Sequence, residues 1–406
     1  MLVLALVVWL LVAALVVVSF RLLRAHRVRE PGPAEGRTPL SVVVAAHDEA
    51  PRIGALLRDL RAQDHPAFEV IVVDDRSSDG TADAVRRAAA GDPRVRLLRV
   101  DARPPGWQGR LHAQGVGARV AGGVWLLFLS ADQRLATRSF LRSLVAEYER
   151  GDAAAVSVVG PFVGERWWER ACFRPLLDHP VLWGTLFAVQ RLWPRAAWLI
   201  GALGLRRETY HALGGVQGAA ACAAGGFDDW GWARACARAG LRTRMVRHPA
   251  LLDVSNWTDF RTFWHGLARW QAGLYTYRRG GWLVAAGLAA AVAGLLAATA
   301  GALADLAAGR APAGPAGVLA TLPIVLGAAY ARADRRSYAI AFAFPGVGAF
   351  LLAAIGAAAW ARLRNRVRWR DEVMAVVKEP PVESEGDKRH GARRRADTAV
   401  VLHRNA

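Results

Sequence analysis

Acidic residues in this chain gather where short apolar runs end. "VVVAAHDEA" places His47, Asp48 and Glu49 behind a valine run, and "VIVVDDRSSDGT" carries Asp74 and Asp75. "VWLLFLSADQ" leads into Ser130 and Asp132, and "GGFDDWGWARACARAG" sets Asp228 and Asp229 at the head of a helix-period stretch. Carboxylates so placed can accept hydrogen bonds from a ring N–H, hold a hard divalent cation through oxygen, or take a proton as a general base. Each also has a plainer reading. Asp74 and Asp75 precede "RSSDGT", a good helix N-terminus signal. Glu49 is equally a first-turn partner of a helix dipole. Asp228 and Asp229 can simply cap the helix they begin.

The elements between these clusters alternate. "LSVVVAA" reads as a buried strand, "EAPRIGALLRDLRAQ" as an amphipathic helix and "EVIVVDD" as a second strand. The helix "DGTADAVRRAAA", the strand "RVRLLRV", the helix around "LHAQGVGARVAG" and the strand "VWLLFLS" follow. Valine-rich runs alternating with helix-period segments predict an α/β fold, a doubly wound and mostly parallel sheet covered on both faces. Ligands of such sheets sit outside the C-terminal strand ends. All four polar clusters are expected there.

This α/β middle lies between membrane-like flanks. The first twenty residues, "MLVLALVVWLLVAALVVVSF", carry no charge, and long apolar runs crowd the region from Trp282 to Ala361. Each is about the ~20 residues a helix needs to cross a bilayer. No Lys or Arg precedes the first run and "SFRLLRAHRVR" follows it, so an uncleaved anchor is expected rather than a signal peptide. Arg21, Arg24, Arg27 and Arg29 place its end, and hence the middle of the chain, in the cytoplasm. The expected organisation is an anchor with its basic flank over 1–29, a cytoplasmic domain over 30–278, transmembrane segments over 279–361 and a basic, disordered tail over 362–406. Three full crossings, about 282–304, 312–330 and 338–360, would put "RLRNRVRWR" outside, against the positive-inside tendency. "AFAFPGVGAF", with Pro345 and two glycines, leaves a re-entrant segment open.

Within the middle, about 164–200 mixes Trp with Arg and Leu and is too interrupted by charge to span. It reads as amphipathic helices on the membrane surface, with a Trp-rich core as the alternative. Lipid contact would then run through Trp167, Trp168 and Trp183. Cys172, Cys222 and Cys236 show no metal spacing and fit ordinary packing in a reducing compartment. The net charge of +19 lies largely beside the apolar segments and in the tail. Anionic lipid explains that distribution more simply than nucleic acid, for which there is no motif.

The motifs resemble the family 2 glycosyltransferases over about residues 38 to 278. "VIVVDDRSSDGTADAV" matches the Asp-Asp-x-Ser-x-Asp-Gly-Thr signature, and "PPGWQGRLHAQGVGA" is similar to a Gly-Trp-x-Gly-Lys segment with Arg110 for Lys. "FDDWGWARACARAGLRT" resembles the stretch that holds the family's acid-base motif. The flanking apolar segments fit a membrane-bound branch associated with carotenoid and hopanoid synthesis. What the resemblance implies is a GT-A-like fold that binds a nucleotide-sugar, UDP-linked by expectation, and transfers the sugar with inversion to a lipid-like acceptor. Asp75, with Asp74, would contact the base, while Glu49 and Arg110 would assist in nucleotide-sugar binding. Asp229, with Asp228 for the usual Glu, would be the catalytic base.

The family's Asp-x-Asp is altered. Ser130 replaces its first acid, which mainly contacts ribose, and Asp132 would coordinate the divalent cation, Mg²⁺ or Mn²⁺. Mg²⁺ needs only one or two carboxylates when phosphates and water complete its octahedron, so a weakened metal grip is expected rather than a dead site. The Gln-x-x-Arg-Trp of processive synthases is matched only by Arg269 and Trp270, with Gly266 in the Gln position, which argues against a polymerase. The competing reading is a non-catalytic nucleotide-sugar-binding scaffold. Ser130 and Arg110 favour it; retention of Asp75, Asp132 and Asp229 opposes it.

Overall fold

The structure is a computed structural model, and it describes residues 1–103, 107, 109–194, 201–222, 228–255, 257, 259–276, 280–312, 314–335, 338–364, 367–369 and 372–374. The first half of the chain runs α1 (Leu2–Ala25), β1 (Leu40–Ala46), α2 (Ala50–Arg61), β2 (Phe68–Asp75), α3 (Thr81–Ala89), β3 (Val95–Val100), α4 (Gly109–Val120), β4 (Trp125–Ser130), β5 (Gln133–Leu135), α5 (Phe140–Arg150) and β6 (Ala155–Val159). Then come β7 (Phe162–Val163), α6 (Arg174–Leu177), α7 (Pro180–Leu192), β8 (Ala202–Arg206), α8 (Arg207–Ala212), α9 (Gly215–Cys222), α10 (Asp228–Arg238), β9 (Thr243–Arg247) and β10 (Leu251–Val254). The remainder is helical, α11 (Phe260–Thr276), α12 (Gly281–Ala307), α13 (Gly314–Ala320), α14 (Leu322–Ala333) and α15 (Phe344–Leu363), before a short ladder of β11 (Val367–Trp369) and β12 (Glu372–Met374). The chain forms two interleaved units. One holds Arg27–Pro161 and Trp193–Val254; the other holds Met1–His26, Phe162–Leu192 and Ser255–Val377.

The first unit is the α/β layer. Its seven strands lie in the order β3-β2-β1-β4-β8-β6-β9. β3, β2, β1 and β4 are mutually parallel, β8 runs antiparallel to both β4 and β6, and β9 is parallel to β6. Strand alternation builds a core on each face. Val42, Val44, Val70 and Val72 meet Leu56, Leu57 and Leu60 of α2 and Leu144 of α5. Val43, Ile71 and Val73 meet Leu111 and Val116 of α4 and Trp232 of α10. The central strands β1, β2 and β4 are therefore buried on both sides, which is why they read as apolar runs. Close approach of α4 depends on Gly117, where a Cβ would stand 2.5 Å from Val43 Cγ1. The reversed β8 has no counterpart among the predicted strands. Its sequence, "ALGLR", is too short for periodicity to tell a parallel from an antiparallel neighbour.

Among its described residues the second unit carries four stretches long and apolar enough to cross a membrane, Leu2–Ala25, Gly281–Ala307, Gly314–Ala333 and Tyr338–Leu363. Their exposed Leu and Val side chains, such as Leu10, Leu11, Leu283 and Val284, leave an apolar surface that water would not tolerate. The Trp-rich segment divides. Trp167 is 70% exposed, but Trp168 packs with Phe173, Trp257 and Phe263 in an aromatic cluster. Trp183 is a correction to the expected lipid contact: it is buried beside Phe187, and the neighbouring Gly184 lies directly against Ser19 of α1. That face of α7 is spent on α1. Residues 195–200 of the segment, and most of the basic tail, lie outside the described residues.

Candidate active site

The loops after β1 and β2 are knitted to each other. Asp48 takes a left-handed backbone (φ 51°), as does Arg76 (φ 59°), conformations that non-glycine residues hold only when neighbours over-determine them. Here they do. The Asp48 N–H donates to Ser77 Oγ at 3.0 Å, and the Ser78 N–H donates to Asp48 Oδ1 at 2.8 Å. The start of α2 is capped from the other loop: the Ala50 N–H donates to Asp79 Oδ2 at 3.0 Å and the Glu49 N–H to Thr81 Oγ1 at 2.8 Å. Asp79 also accepts from the Thr81 N–H at 3.0 Å, and these bonds hold its carboxyl below the usual carboxylate value against the opposing effect of burial. The "SSDGT" signal thus fastens α2 as well as opening α3.

Asp74 and Asp75 end β2 with separate tasks. Asp74 is 1% exposed; its Oδ1 accepts the Ser77 N–H at 3.1 Å, and Arg99 Nε lies 3.5 Å from Oδ2. It holds the loop. Asp75, also buried, meets Arg76 Nε at 3.0 Å. Its carbonyl accepts a 2.6 Å hydrogen bond from His47 Nδ1, which must therefore carry the proton. Gly109, the first residue of α4, lies close against the Asp75 carboxylate and Arg103 Nη1, which would have to shift to admit a side chain there. His112, one turn on, is buried with its ring edge-on to Trp107 at 5.7 Å. Its Nδ1 has no hydrogen-bond partner among the described residues. Burial holds His112 below the ordinary imidazole value, with the Asp75 charge acting against that.

The loop after β4 is built differently. The Ser130 N–H donates to Gln133 Oε1 at 3.0 Å, Gln133 Nε2 donates to Asp253 Oδ1 at 2.7 Å, and the Val254 N–H donates to the Asp132 carbonyl at 3.0 Å. Pairing of β5 with β10 thus fixes the backbone on both sides of Asp132. The Asp132 residue keeps some solvent exposure. Its carboxyl is raised from the ordinary value of 3.8, first by burial and then by the Glu49 charge, while Arg110 and Arg52 oppose the rise. Glu49 is itself buried and paired with Arg52 Nη1 at 3.1 Å. Glu49, Arg110 and Asp132 therefore share one electrostatic neighbourhood at the ends of β1 and β4, beside the Asp75 group at the end of β2.

Asp228 and Asp229 are the first two residues of α10; their side chains lie outside the described residues. The helix itself is anchored by Trp232, stacked 6.4 Å from Phe128 of β4. It leads into β9, which points the same way as β1 and β4, so its start lies at the C-terminal edge of the sheet. Among the described residues no three His, Cys, Asp or Glu side chains converge as a ready metal cage. Hard oxygen donors are what the Asp132 neighbourhood offers, and a cation there would relieve the crowding of its carboxylate by Glu49.

Part of this arrangement is similar to known proteins. The profile described as Glycosyl transferase family 2 matches residues 41–199. Over these residues the chain is similar to the family 2 glycosyl transferases. The match takes in Glu49, Asp74, Asp75, Arg110, Ser130 and Asp132 and stops short of Asp228 and Asp229. Among curated proteins, succinoglycan biosynthesis protein ExoO of Rhizobium meliloti is 36% identical over 128 residues, 31% of this chain and 34% of that protein. The 4,4'-diaponeurosporenoate glycosyltransferase of Staphylococcus haemolyticus is 30% identical over 130 residues, 32% of this chain and 34% of that enzyme. The chain thus spans about a third of the length of these curated relatives. A mannosyltransferase from Pyrobaculum calidifontis, solved in complex with GDP-Man and Mn²⁺, aligns over 88% of this chain and 100% of its own at 22% identity with a TM-score of 0.47, a likeness too slight to carry inference.

His112, Arg103, Arg76 and the Gln133–Asp253 pair border the candidate residues, and the motifs do not point to them. Arg76 follows the Asp pair directly and could have been flagged as its counter-charge. His112 had no such signal, because a lone His in a helix-period stretch reads as core.

Proposed function

We propose that this chain is a membrane-anchored, inverting glycosyltransferase that moves a sugar from a nucleotide-sugar donor, UDP-linked, to a lipid-like acceptor. The observation that supports it best is the gathering of Glu49, Asp75, Arg110 and Asp132 at adjacent strand ends within the residues similar to family 2. Asp75 is assigned to accept from a ring N–H of the base, with Asp74 holding its loop and Arg76 and Arg103 supplying positive charge nearby. Arg110, whose charge acts on Asp132, is assigned to the diphosphate. Ser130 can exchange a hydrogen bond with a ribose hydroxyl. A divalent cation held by Asp132 with Glu49 nearby would neutralise charge on the departing diphosphate when bound. Asp229, with Asp228 beside it, is assigned as the base that takes the acceptor hydroxyl's proton.

The lipid-like acceptor is supported by the apolar stretches of the second unit and by a relative named 4,4'-diaponeurosporenoate glycosyltransferase. Arg21, Arg24, Arg27 and Arg29 support a cytoplasmic catalytic domain at the plasma membrane. The test is to incubate membranes holding the full chain with a panel of UDP- and GDP-sugars and lipid extracts, following nucleotide release and labelled product. Release from one donor, dependent on Mg²⁺ or Mn²⁺ and on lipid, is the expected result. No release from any donor, with nucleotide still bound, would favour the scaffold reading that Ser130 raises.

A further inference from the structure

Tyr338–Leu363 is 26 residues long and apolar enough to cross a membrane. A third crossing after α12 and the 314–333 stretch would have to run in the same direction as α12. Its packing is the reverse. Gly348 approaches Val292 Cγ1 and Leu296, midway along α12, at 3.3 and 3.6 Å from its Cβ position. Leu351 and Ile355 pack with Ala285 and Ala289, and Ala358 and Ala361 with Trp282 at the start of α12. As numbers rise in α15 they fall in α12, so the two helices are antiparallel.

The preceding turn explains how. Ala341 of the 3₁₀ turn Tyr338–Ala343 packs on Gly327, and the Phe344 ring lies 6.1 Å from Tyr330. After α14 the chain therefore doubles back along it before α15 sets out. α14 runs parallel to α1. Trp9 Nε1 donates to Thr321 Oγ1 at 3.0 Å. Further along α1, Ser19 meets Gly184 of α7, and His179, just before α7, reaches the Leu326 carbonyl at 3.0 Å. The end of α12 joins the start of α13 through residues 308–313.

Consequently the ends of α1, α14 and α15 and the start of α12 share one end of this helical unit. That end carries Arg21, Arg24, Arg332, Arg362 and Arg364, for which no carboxylate partner stands among the described residues. Arg364 lies over the ring of exposed Trp360 at 4.3 Å, as an interfacial anchor does. Arg310, at the opposite end, is paired with Asp305 at 3.2 Å. The two ends differ in unbalanced charge.

We infer that α15 is a re-entrant helix returning to the membrane face that α12 leaves, and that the arginines collected at this face bind anionic phospholipid headgroups. Guanidinium forks match phosphate oxygens bidentately, and apolar helices hold them at headgroup depth. The inference stands independently of the donor chemistry.

Two measurements on the full-length chain, with its native cysteines replaced, test it. Arg24→Cys, Arg310→Cys and Arg364→Cys are probed in intact cells and in opened membranes with a membrane-impermeant maleimide. Positions 24 and 364 are expected to label together and position 310 from the other side. Labelling of 364 with 310 would overturn the re-entrant path. Binding of phosphatidylglycerol against phosphatidylcholine is then read on the purified protein. Arg364→Gln should weaken phosphatidylglycerol binding about fivefold, the Arg362→Gln/Arg364→Gln pair more, while the matching Lys pair keeps it. Equal phosphatidylglycerol binding by wild type and the Gln pair, or displacement of the lipid by inorganic phosphate alone, would overturn the lipid site.

Discussion

Two loops at the same edge of the sheet solve opposite problems. The loop after β2 is held by internal hydrogen bonds: Asp74 Oδ1, Asp79, Ser77 and Thr81 find partners in the chain, and Asp74 Oδ2 faces Arg99. The loop after β4 has a backbone held just as firmly, yet it leaves Asp132 crowded by Glu49 and raised above the usual carboxylate value. A satisfied carboxylate is a structural part. An electrostatically loaded one is poised for a ligand that brings positive charge. Acidic residues equally prominent in the sequence thus differ in their surroundings, Asp79 lowered by its hydrogen bonds and Asp132 raised by burial and by Glu49.

Substitutions at Asp132 and Asp229 test that division hardest. Asp132→Ala is expected to abolish divalent-dependent transfer while the protein stays folded. Full activity with unchanged metal dependence would remove Asp132 from the site. Asp229→Asn keeps a residue able to cap α10 and should lower turnover by ~10²–10⁴-fold, with nucleotide binding nearly unchanged. Turnover equal to wild type would end the assignment of the base.

The scaffold side of the comparison predicts a stability effect. Asp79→Ala removes the acceptor for the Ala50 and Thr81 N–H groups and should cost ~1–2 kcal/mol in denaturant unfolding. Its metal dependence should stay that of wild type. A variant as stable as wild type but altered in metal response would mean that the two loops do not divide the work.

Much of this was legible in the sequence. "LSVVVAA" and "VWLLFLS" name buried strands because both faces of a parallel sheet are covered, and β1 falls on Leu40–Ala46 as read. The strand ends followed, and with them Glu49, Asp75 and Asp132. Contacts made by distant partners were not legible. Asp79 reads as a cap for the helix it precedes, and nothing local says that it also caps α2. Gln133 finds Asp253 across 120 positions of sequence. Trp183 reads as interfacial, yet its helix face is taken by α1. The last apolar run has a composition fit for crossing, and only its partners show its direction.

pH separates the two kinds of carboxylate without changing a ligand. Asp132 is raised in the folded chain, so protonation stabilises the fold relative to the ionised state. That contribution is full below the ordinary value of 3.8 and is lost as pH rises through the raised value. Asp132→Asn should therefore be more stable than wild type at neutral pH without divalent cation, and the difference should vanish in acid. Asp79 is lowered, so its contribution is present above 3.8 and lost as pH falls through the lowered value. Thermal unfolding of Asp132→Asn and Asp79→Ala across pH would show opposite trends; parallel trends would contradict the contrast.

The smallest expected effect is at Ser130. Its backbone is fixed by Gln133, so Ser130→Asp would add a second carboxylate without moving the loop. In the absence of metal that acid adds to the repulsion already felt at Asp132, raising its carboxyl further and lowering stability slightly. With Mg²⁺ or Mn²⁺ the same charge becomes favourable, because a divalent ion in a partly desolvated cleft attracts both acids. The metal concentration for half-maximal activity should fall, and its pH dependence should steepen as two carboxylates release protons on binding. An unchanged metal requirement in Ser130→Asp, beside a loss of activity in Asp132→Ala, would show that position 130 serves the ribose and not the cation. The altered acid pair would then be a change in donor recognition rather than in metal grip.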